Sequence, residues 1–385
     1  MKIASLALES LRIPFRVAFK HASAERVVTQ GVWVIARSEG GHTGYGEGCP
    51  RDYVTGETDA SVVAFFDKFR DSISARVADL PSLQEWSQAH QLDIDHNPAA
   101  WCAIELALLD LIARELKQPV EALLGLPALT GPFVYSAVLG ATGTQQFAET
   151  LDRYQKLGIR DYKIKLSGEF DRDRGNLAIL RSAGIVPAQV RADANNLWTS
   201  LDEAQVYLKS LDFSFSAIEE PLQAGQFADL SSLAGSLAAR IILDESITRE
   251  GQIALLPGTP EQWIVNLRVS KMGGLLRSLE FVEACRAKRL GLIVGAQVGE
   301  TSVLTRAALV VAQASRDILI AQEGAFGTLL LESDAVQPAL MFGTKGELDL
   351  RPLRLEHLPG FGLTPIPDLA ERYFDRGTKE IARSD

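Results

Sequence analysis

The sequence predicts an α/β protein, a modified TIM barrel of the (β/α)7β kind with an N-terminal α+β capping domain. Three observations predict it. From Phe133 onward, short apolar runs alternate with amphipathic stretches. The ends of those runs recur about every 25–30 residues, the repeat of one strand–helix unit in a βα barrel. Ahead of them lies a region of different texture, first with period-two alternation and then with helical spacing.

The elements follow in order. Ile3 to Ile13 alternates loosely, Gly31 to Ser38 (GVWVIARS) is rich in β-formers, and Gly40-Gly41 turns the chain into HTGYGEG. That pattern is a short antiparallel meander. Asp59 to Arg76 and Pro98 to Leu116 carry apolar residues at helical spacing. Gln118-Pro119 and LLGLP end the region, so a boundary falls near Pro127 to Pro132. We assign residues 1–127 to this α+β unit, 128–350 to the barrel, and 351–385 to a C-terminal segment. The barrel strands are FVYSAVLG, DYKIKL, QVRADA, FSAIEEP, RIILDES, WIVNLRV, GLIVGAQ and DILIAQE. Helical stretches such as Gln145 to Leu157, Leu201 to Leu211 and Leu275 to Arg289 lie between them. Eight units in about 200 residues make a compact barrel, with one helix shortened or missing. An open doubly wound sheet alternates in the same way. No GxGxxG follows the first strand and no P-loop occurs, which disfavours nucleotide-binding open sheets.

Composition narrows the function. Apolar residues make up 46% and charged residues 23% of the 385, an ordinary globular balance. Only the polar tail from Arg376 to Asp385 has the composition of a disordered segment. Net charge is −10 without a Lys/Arg-rich run, so neither nucleic acid nor an anionic membrane is an expected partner. Cys49, Cys102 and Cys285 are scattered without CxxC spacing, which fits a reducing compartment, and Cys102 sits in an apolar run as core packing. The N-terminus lacks a leader-like apolar region and no stretch reaches the ~20 apolar residues of a membrane helix. A cytoplasmic enzyme acting on a small-molecule carboxylate, and forming a homo-oligomer, is the expectation.

Strand ends carry the chemistry, because in a TIM barrel the C-terminal ends face the active-site mouth. They supply Lys163 and Lys165, then Asp193, then Glu219 and Glu220, then Asp244 and Glu245, then Lys271, Gln297 with Glu300, and Glu323. Asp193, Glu219 and Asp244, converging from neighbouring strands, repel one another and would partly protonate. A hard divalent cation with oxygen ligands removes that cost. The absence of HxH and HExxH patterns argues against zinc. A lone Asp at such a position is more often a helix cap; three at matched register are not. Glu220 and Glu245 follow two of the acids, so alternation turns them away, to support the ligands from behind or form ion pairs. Asn195 either assists the metal or caps the next helix. Lys163 and Lys165 share a face, and mutual repulsion with partial burial lowers lysine pKa values toward the range of a general base. Lys271 stands across the mouth, so a substrate carbon is approached from both faces. The alternative for Lys165 is a plain ion pair with Asp193. A cation on the substrate carboxylate would stabilise the enediolate formed when the α-proton leaves.

The runs KIK (163–165), RADANNLW (191–198), AIEEPL (217–222), LDES (243–246) and NLRVSKMGG (266–274) resemble, in this order, the enolase superfamily. A Lys-x-Lys on the second strand and a lysine on the sixth are similar to the muconate lactonizing enzyme subgroup, of the mandelate racemase/muconate lactonizing enzyme family. The likeness extends from GYGEG through WCAIELALLDLIAREL to GAQVGETS. It implies Mg²⁺ held by Asp193, Glu219 and Asp244, with Lys165 and Lys271 as the acid/base pair. Lys163 would tune Lys165 or touch the substrate carboxylate. It also implies that residues 1–127 are a capping domain, closing the mouth through two loops, Pro14 to Ala24 and Gly48 to Gly56, and that 351–385 returns to pack on it. Phe19, Lys20, His21, Arg51 and Tyr53 thereby become specificity candidates, facing Gln297, Glu300 and Glu323 on the barrel side. Members that epimerise dipeptides carry Asp-x-Asp at the last barrel strand, holding the substrate ammonium. This chain has Glu323-Gly324-Ala325, which argues against dipeptide epimerisation, although Glu323 remains a candidate for contacting a cationic group.

The expected function is racemisation or epimerisation of an α-substituted carboxylate, such as an N-substituted amino acid. Two other reactions use the same site: cycloisomerisation of a muconate-type diacid with one lysine active, and syn-dehydration of the o-succinylbenzoate synthase kind. A non-catalytic small-acid-binding barrel would be expected to have lost ligands or lysines, and none is missing.

Overall fold

β1 (Ile3–Leu11) opens the chain, followed by β2 (Pro14–His21) and β3 (Ala24–Val28), then β4 (Gly31–Ser38) and β5 (Thr43–Gly48). The computed structural model describes residues 1–21 and 24–375, the side chains of 17–26 excepted. The Arg376 to Asp385 tail therefore lies outside the described residues. β1, β4 and β5 form an antiparallel sheet in that order, the meander expected from the alternation. The Pro14 to Ala24 segment, expected as a loop, instead pairs as a β2–β3 hairpin. Its Phe and Val content suits a strand.

Six helices complete the cap: α1 (Asp52–Thr55), α2 (Asp59–Arg76), α3 (Leu80–Ala89), α4 (Gln91–His96), α5 (Pro98–Glu115) and α6 (Val120–Leu123). Reciprocal caps start two of them, Thr58 with Ser61 at α2 and Asp79 with Ser82 at α3. Pro98 opens α5, where a missing N–H removes no helical bond. The GYGEG run has a structural cause. Gly44, Gly46 and Gly48 share the β5 face that meets α5, and a Cβ on any of them would overlap the helix backbone at Ala107, Ala103 or Ala99. Tyr45 and Glu47 consequently point the other way. Cys102 on α5 is fully buried.

The barrel region begins with β6 (Pro132–Val134), paired with Glu347–Asp349. It continues β7 (Ala137–Leu139), α7 (Thr144–Lys156), β8 (Tyr162–Lys165), α8 (Phe170–Ser182), β9 (Val190–Asp193), α9 (Leu201–Ser210), β10 (Ala217–Glu219), α10 (Phe227–Leu237) and β11 (Arg240–Leu243). Then come β12 (Trp263–Leu267), α11 (Val269–Met272), α12 (Leu275–Ala287), β13 (Gly291–Val294), α13 (Ser302–Ala314) and β14 (Leu319–Gln322). Strands β7 to β14 form one sheet in chain order. Its ends meet where Ser136 N–H donates to the Gln322 carbonyl at 2.8 Å. The run FVYSAVLG is thus two strands, only the second belonging to the barrel. Between β11 and β12 the described residues form 3₁₀ turns, Glu250–Leu255 and Pro260–Gln262, in place of an α-helix. Ala217, Ile242, Ile264, Ile293 and Ala321 form a small apolar cluster of their own among these strands.

Buried polar links join cap and barrel. Glu47 accepts from Thr301 N (2.8 Å), Thr301 Oγ1 (2.6 Å) and Leu304 N (3.2 Å) at the start of α13. Arg306, one turn further, pairs with both oxygens of Glu121. The chain's last described stretch returns to the cap, with Phe361 N on Asp110 Oδ1 and Arg12 N on the Tyr373 carbonyl, both 2.8 Å. No helix of the described residues is long and apolar enough to cross a membrane.

Candidate active site

Strand register brings the charged residues to one end of the barrel. Lys165 pairs with Asp193, and Asp193 with Glu219, so these three stand level. Glu219 pairs with Ile242. Asp244 therefore lies two residues beyond the shared level, on the same face by alternation, and the matched register expected for all three acids holds for two.

Asp193, Glu219 and Asp244 are buried. Lys163 Nζ lies 3.1 Å from Asp193 Oδ2, 2.7 Å from Glu219 Oε2 and 3.0 Å from Glu323 Oε2. Burial opposes a charge on Lys163, but these three carboxylates hold its pKa above the ordinary lysine value. This corrects the expectation that mutual repulsion between the two lysines would lower it: attraction from three acids outweighs one like charge. Burial likewise opposes the charge of Asp193, yet Lys163 and Lys165 keep its pKa below the carboxylate range. Burial raises the pKa of Glu219, against the pull of Lys163, with Asp193 and Glu323 adding to the rise.

Lys165 Nζ contacts Asp193 Oδ2 at 2.7 Å and Asn195 Oδ1 at 2.9 Å. Asn195 N donates to Asp193 Oδ1 at 3.0 Å, so Asn195 orders both this acid and the lysine. Lys271, fully buried on α11, donates to the Asp244 carbonyl (2.7 Å), Asp244 Oδ1 (2.9 Å) and the Asn266 carbonyl (2.7 Å). Burial, then the positive Arg268, lower its pKa to about 7.

Arg268 was not anticipated. It is the first residue past β12, and its guanidinium binds Asp244 Oδ2 and, at 2.8 Å, Gln297 Oε1. The visible signal was a charge at the end of an apolar strand, in NLRV. Arg191 was also missed. Buried inside β9, it pairs with Asp161 at 2.8 Å and lies 3.5 Å from Glu323 Oε1. Both Glu323 oxygens are thus engaged, and although burial opposes its charge, Lys163 and Arg191 lower its pKa.

Glu220 turns away from the mouth, as alternation requires, and accepts from Asp244 N (2.6 Å), Ser246 N (2.8 Å) and Ser246 Oγ (2.8 Å). Burial lifts its pKa to about 7. Glu245, two residues past the last β11 residue, departs from expectation and lines the cavity. Burial and the nearby Glu220 raise its pKa to about 7.

The cavity at the mouth has a volume of about 660 Å³. Its polar walls include Lys163, Lys165, Asn195, Gln297, Glu300 and Glu323, with Tyr53 from the cap. Phe147, Tyr154, Phe326 and Leu330 supply apolar wall. Gln297 Nε2 is buried without a hydrogen-bond partner. Glu300 accepts from Gln297 N at 2.6 Å, and burial raises its pKa to about 7. Arg51 is not a lining residue. Its guanidinium is spent on backbone carbonyls, Gln30 at 2.9 Å and Pro50 and Val298 at 2.6 Å each. It therefore braces the loop carrying Gln297 and Glu300 instead of facing substrate. The side chains of Phe19, Lys20 and His21 lie outside the described residues.

The donor chemistry fits a hard divalent cation: three buried carboxylates, all oxygen, beside the buried Asn266 Oδ1, which lacks a hydrogen-bond partner. The side-chain arrangement is that of ion pairs. Asp193 and Glu219 turn to Lys163, and Asp244 turns to Arg268 and Lys271. Among the described residues no three His, Cys, Asp or Glu side chains stand as a ligand set.

Residues 146–369 match the family described as "Enolase C-terminal domain-like", and residues 3–125 match the mandelate racemase / muconate lactonizing enzyme N-terminal domain. The chain is similar to an L-Ala-D/L-Glu epimerase of Escherichia coli, 30% identical over 88% of this chain and 96% of that protein. It is also similar to an N-succinyl-L-Arg/Lys racemase of Bacillus cereus, 24% identical over 81% and 84%. A dipeptide epimerase from Methylococcus capsulatus, solved with Mg and the dipeptide L-Arg-D-Lys, superimposes with a TM-score of 0.79 at 26% identity, covering 94% of this chain and 100% of that one. With both of its regions matched and the strand-end lysines and acids gathered at one barrel mouth, this chain belongs to the mandelate racemase/muconate lactonizing enzyme family of the enolase superfamily.

Proposed function

We propose that this chain catalyses Mg²⁺-dependent racemisation or epimerisation of an N-substituted α-amino acid, removing the α-proton with one lysine and returning a proton from another. The carrying observation is the placement of Lys165 and Lys271 on either side of Asp193, Glu219 and Asp244 in the strand order. Asp193, Glu219 and Asp244 would hold the metal ion. When bound, that ion supplies positive charge to the substrate carboxylate. The chain's own groups do the rest. Lys165, steadied by Asn195, addresses one face of the α-carbon. Lys271, with its pKa lowered to about 7, addresses the other, in the range suited to giving and taking a proton near neutrality. The loop braced by Arg51 and the apolar wall around Phe147 and Phe326 limit access of water.

Glu323 supports the N-substituted substrate. Its carboxylate is already paired with Lys163 and Arg191, so it offers no free anion for a substrate ammonium. Among the described wall residues, Gln297 Nε2 and Glu245 Oε2 are buried without a hydrogen-bond partner; the Gln297 donor suits an acyl carbonyl or a second carboxylate. Relatives that act on N-succinyl amino acids and on dipeptides bracket this reading.

The test is loss of the α-proton signal in D₂O, by NMR, for N-acetyl and N-succinyl amino acids, dipeptides with a free amino group, and muconate. Exchange of N-acyl substrates with Mg²⁺, abolished by EDTA, is expected. Faster exchange of dipeptides than of N-acyl amino acids would overturn the substrate class. Consumption of muconate, or no exchange with any compound, would overturn the reaction.

A further inference from the structure

The four-residue helix α11, which carries Lys271, is anchored on both sides by the capping domain. Within it, the buried Ser270 accepts through Oγ from the backbone N–H of Cys49, at the end of β5, at 2.8 Å. Beyond it the chain reverses through Gly273 and Gly274, with φ of 81° and 104°, and enters α12. The N-cap of α12 is Gly274, which has no side chain to accept from the helix's first amides. Glu105, buried in the middle of α5 and 170 residues distant in sequence, does that instead. Its Oε1 accepts from Leu275 N at 2.5 Å and Leu276 N at 3.0 Å. The fit is tight, since a Cβ on Gly274 would overlap the Glu105 carboxylate and one on Gly273 would press on Ile94 of α4. Among the described residues, by contrast, the side-chain partners of Lys165 belong to the barrel: Asp193 and Asn195.

We infer that Glu105 is a positioning residue for Lys271, a cap supplied across the domain junction that holds the α11–α12 turn and, through it, the Lys271 amine. The inference rests on the two-lysine reading above. It follows from how an uncapped helix start behaves. Without Glu105, two buried amides lose their acceptor, and the turn is free to move toward other partners. Among the described residues Lys271 Nζ is held by Asp244 and by the Asn266 carbonyl, so a shift of α11 is transmitted directly to the amine. A displacement of about 1 Å in a reacting group lowers rate by about 100-fold. Lys165, seated on β8, is not touched by this change.

Two variants separate positioning from folding. Glu105→Leu fills the space but accepts no hydrogen bond, whereas Glu105→Gln retains an acceptor oxygen. Lys271→Ala first identifies which enantiomer of an exchanging N-acyl amino acid depends on Lys271. Glu105→Leu is expected to slow α-proton exchange of that enantiomer by about 100-fold, while the other enantiomer exchanges as in the unaltered protein. Glu105→Gln is expected to restore both. Equal loss on both faces, or loss on neither, overturns the inference. Amide hydrogen exchange supplies a second readout that needs no substrate. Glu105→Leu should speed exchange across 269–276 and leave the β8 amides at 162–165 unchanged; identical traces for 269–276 overturn the inference as well. Failure of the unaltered protein to exchange any substrate would instead sink the proposed function, with the amide readout still deciding whether Glu105 holds the turn.

Discussion

Replacing Glu220 by alanine tests the proposed metal site without touching a proposed ligand. Glu220 is fully buried and takes hydrogen bonds from Asp244 N, Ser246 N and Ser246 Oγ at 2.6–2.8 Å, and a longer one from Asn196 Nδ2 at 3.5 Å. Truncation leaves two buried amides without an acceptor, at about 1–3 kcal/mol each, so a stability loss of about 2–6 kcal/mol is expected. The local effect matters more. Asp244 N is one of the two amides, and its release frees the backbone that aims the Asp244 carboxylate. Loss of such support behind a ligand typically weakens metal binding by about 10–100-fold. Glu220→Gln should behave differently. Oε1 takes both amides, an amide oxygen can keep them, and the Ser246 hydroxyl can rotate to accept from the new NH₂. Mg²⁺ titration by calorimetry on the three proteins is the assay, with urea unfolding alongside. The reasoning fails if Glu220→Ala binds Mg²⁺ as tightly as the unaltered chain, or if Glu220→Gln is as damaging as alanine.

Other predictions follow from the buried polar links. Glu47 and Glu105 are pushed by burial from 4.5 to about 8, so the folded chain keeps protons that the unfolded chain releases between those values. Stability should therefore fall as pH rises through that window, by at most about 1.4 kcal/mol per pH unit for each group. Glu105→Gln should make the slope of urea midpoint against pH shallower, and an unchanged slope would count against a neutral Glu105. Arg306→Ala strands Glu121 in the cap–barrel junction and should cost about 3–5 kcal/mol in urea unfolding. Adding Glu121→Leu to Arg306→Met should recover most of that, because the second change removes the uncompensated charge; no recovery would refute the account.

The sequence by itself determined the architecture and the cast of the mouth. Period-two and helical spacing are local properties, and each barrel strand ends where an apolar run meets a charge, as in YKIK, VRAD and AIE. Close-approach glycines were visible as GYGEG, although their purpose became plain only once α5 lay on β5. What each charge does was settled by contacts between residues far apart in the chain. Lys163 bridges to Glu323 over 160 residues and is held charged where local repulsion suggested the reverse. Arg51 reaches Val298 over 247 residues and is used up there, so its place in a cap loop did not reveal its partner. Glu245 lies two residues past the end of β11, a boundary that hydrogen bonding sets and composition does not. Glu47 and Glu105 showed no signal at all beyond being acids in apolar surroundings, because the amides they accept from belong to helices 254 and 170 residues away. Periodicity records which face of an element is buried; only the assembled fold decides which buried charge meets which.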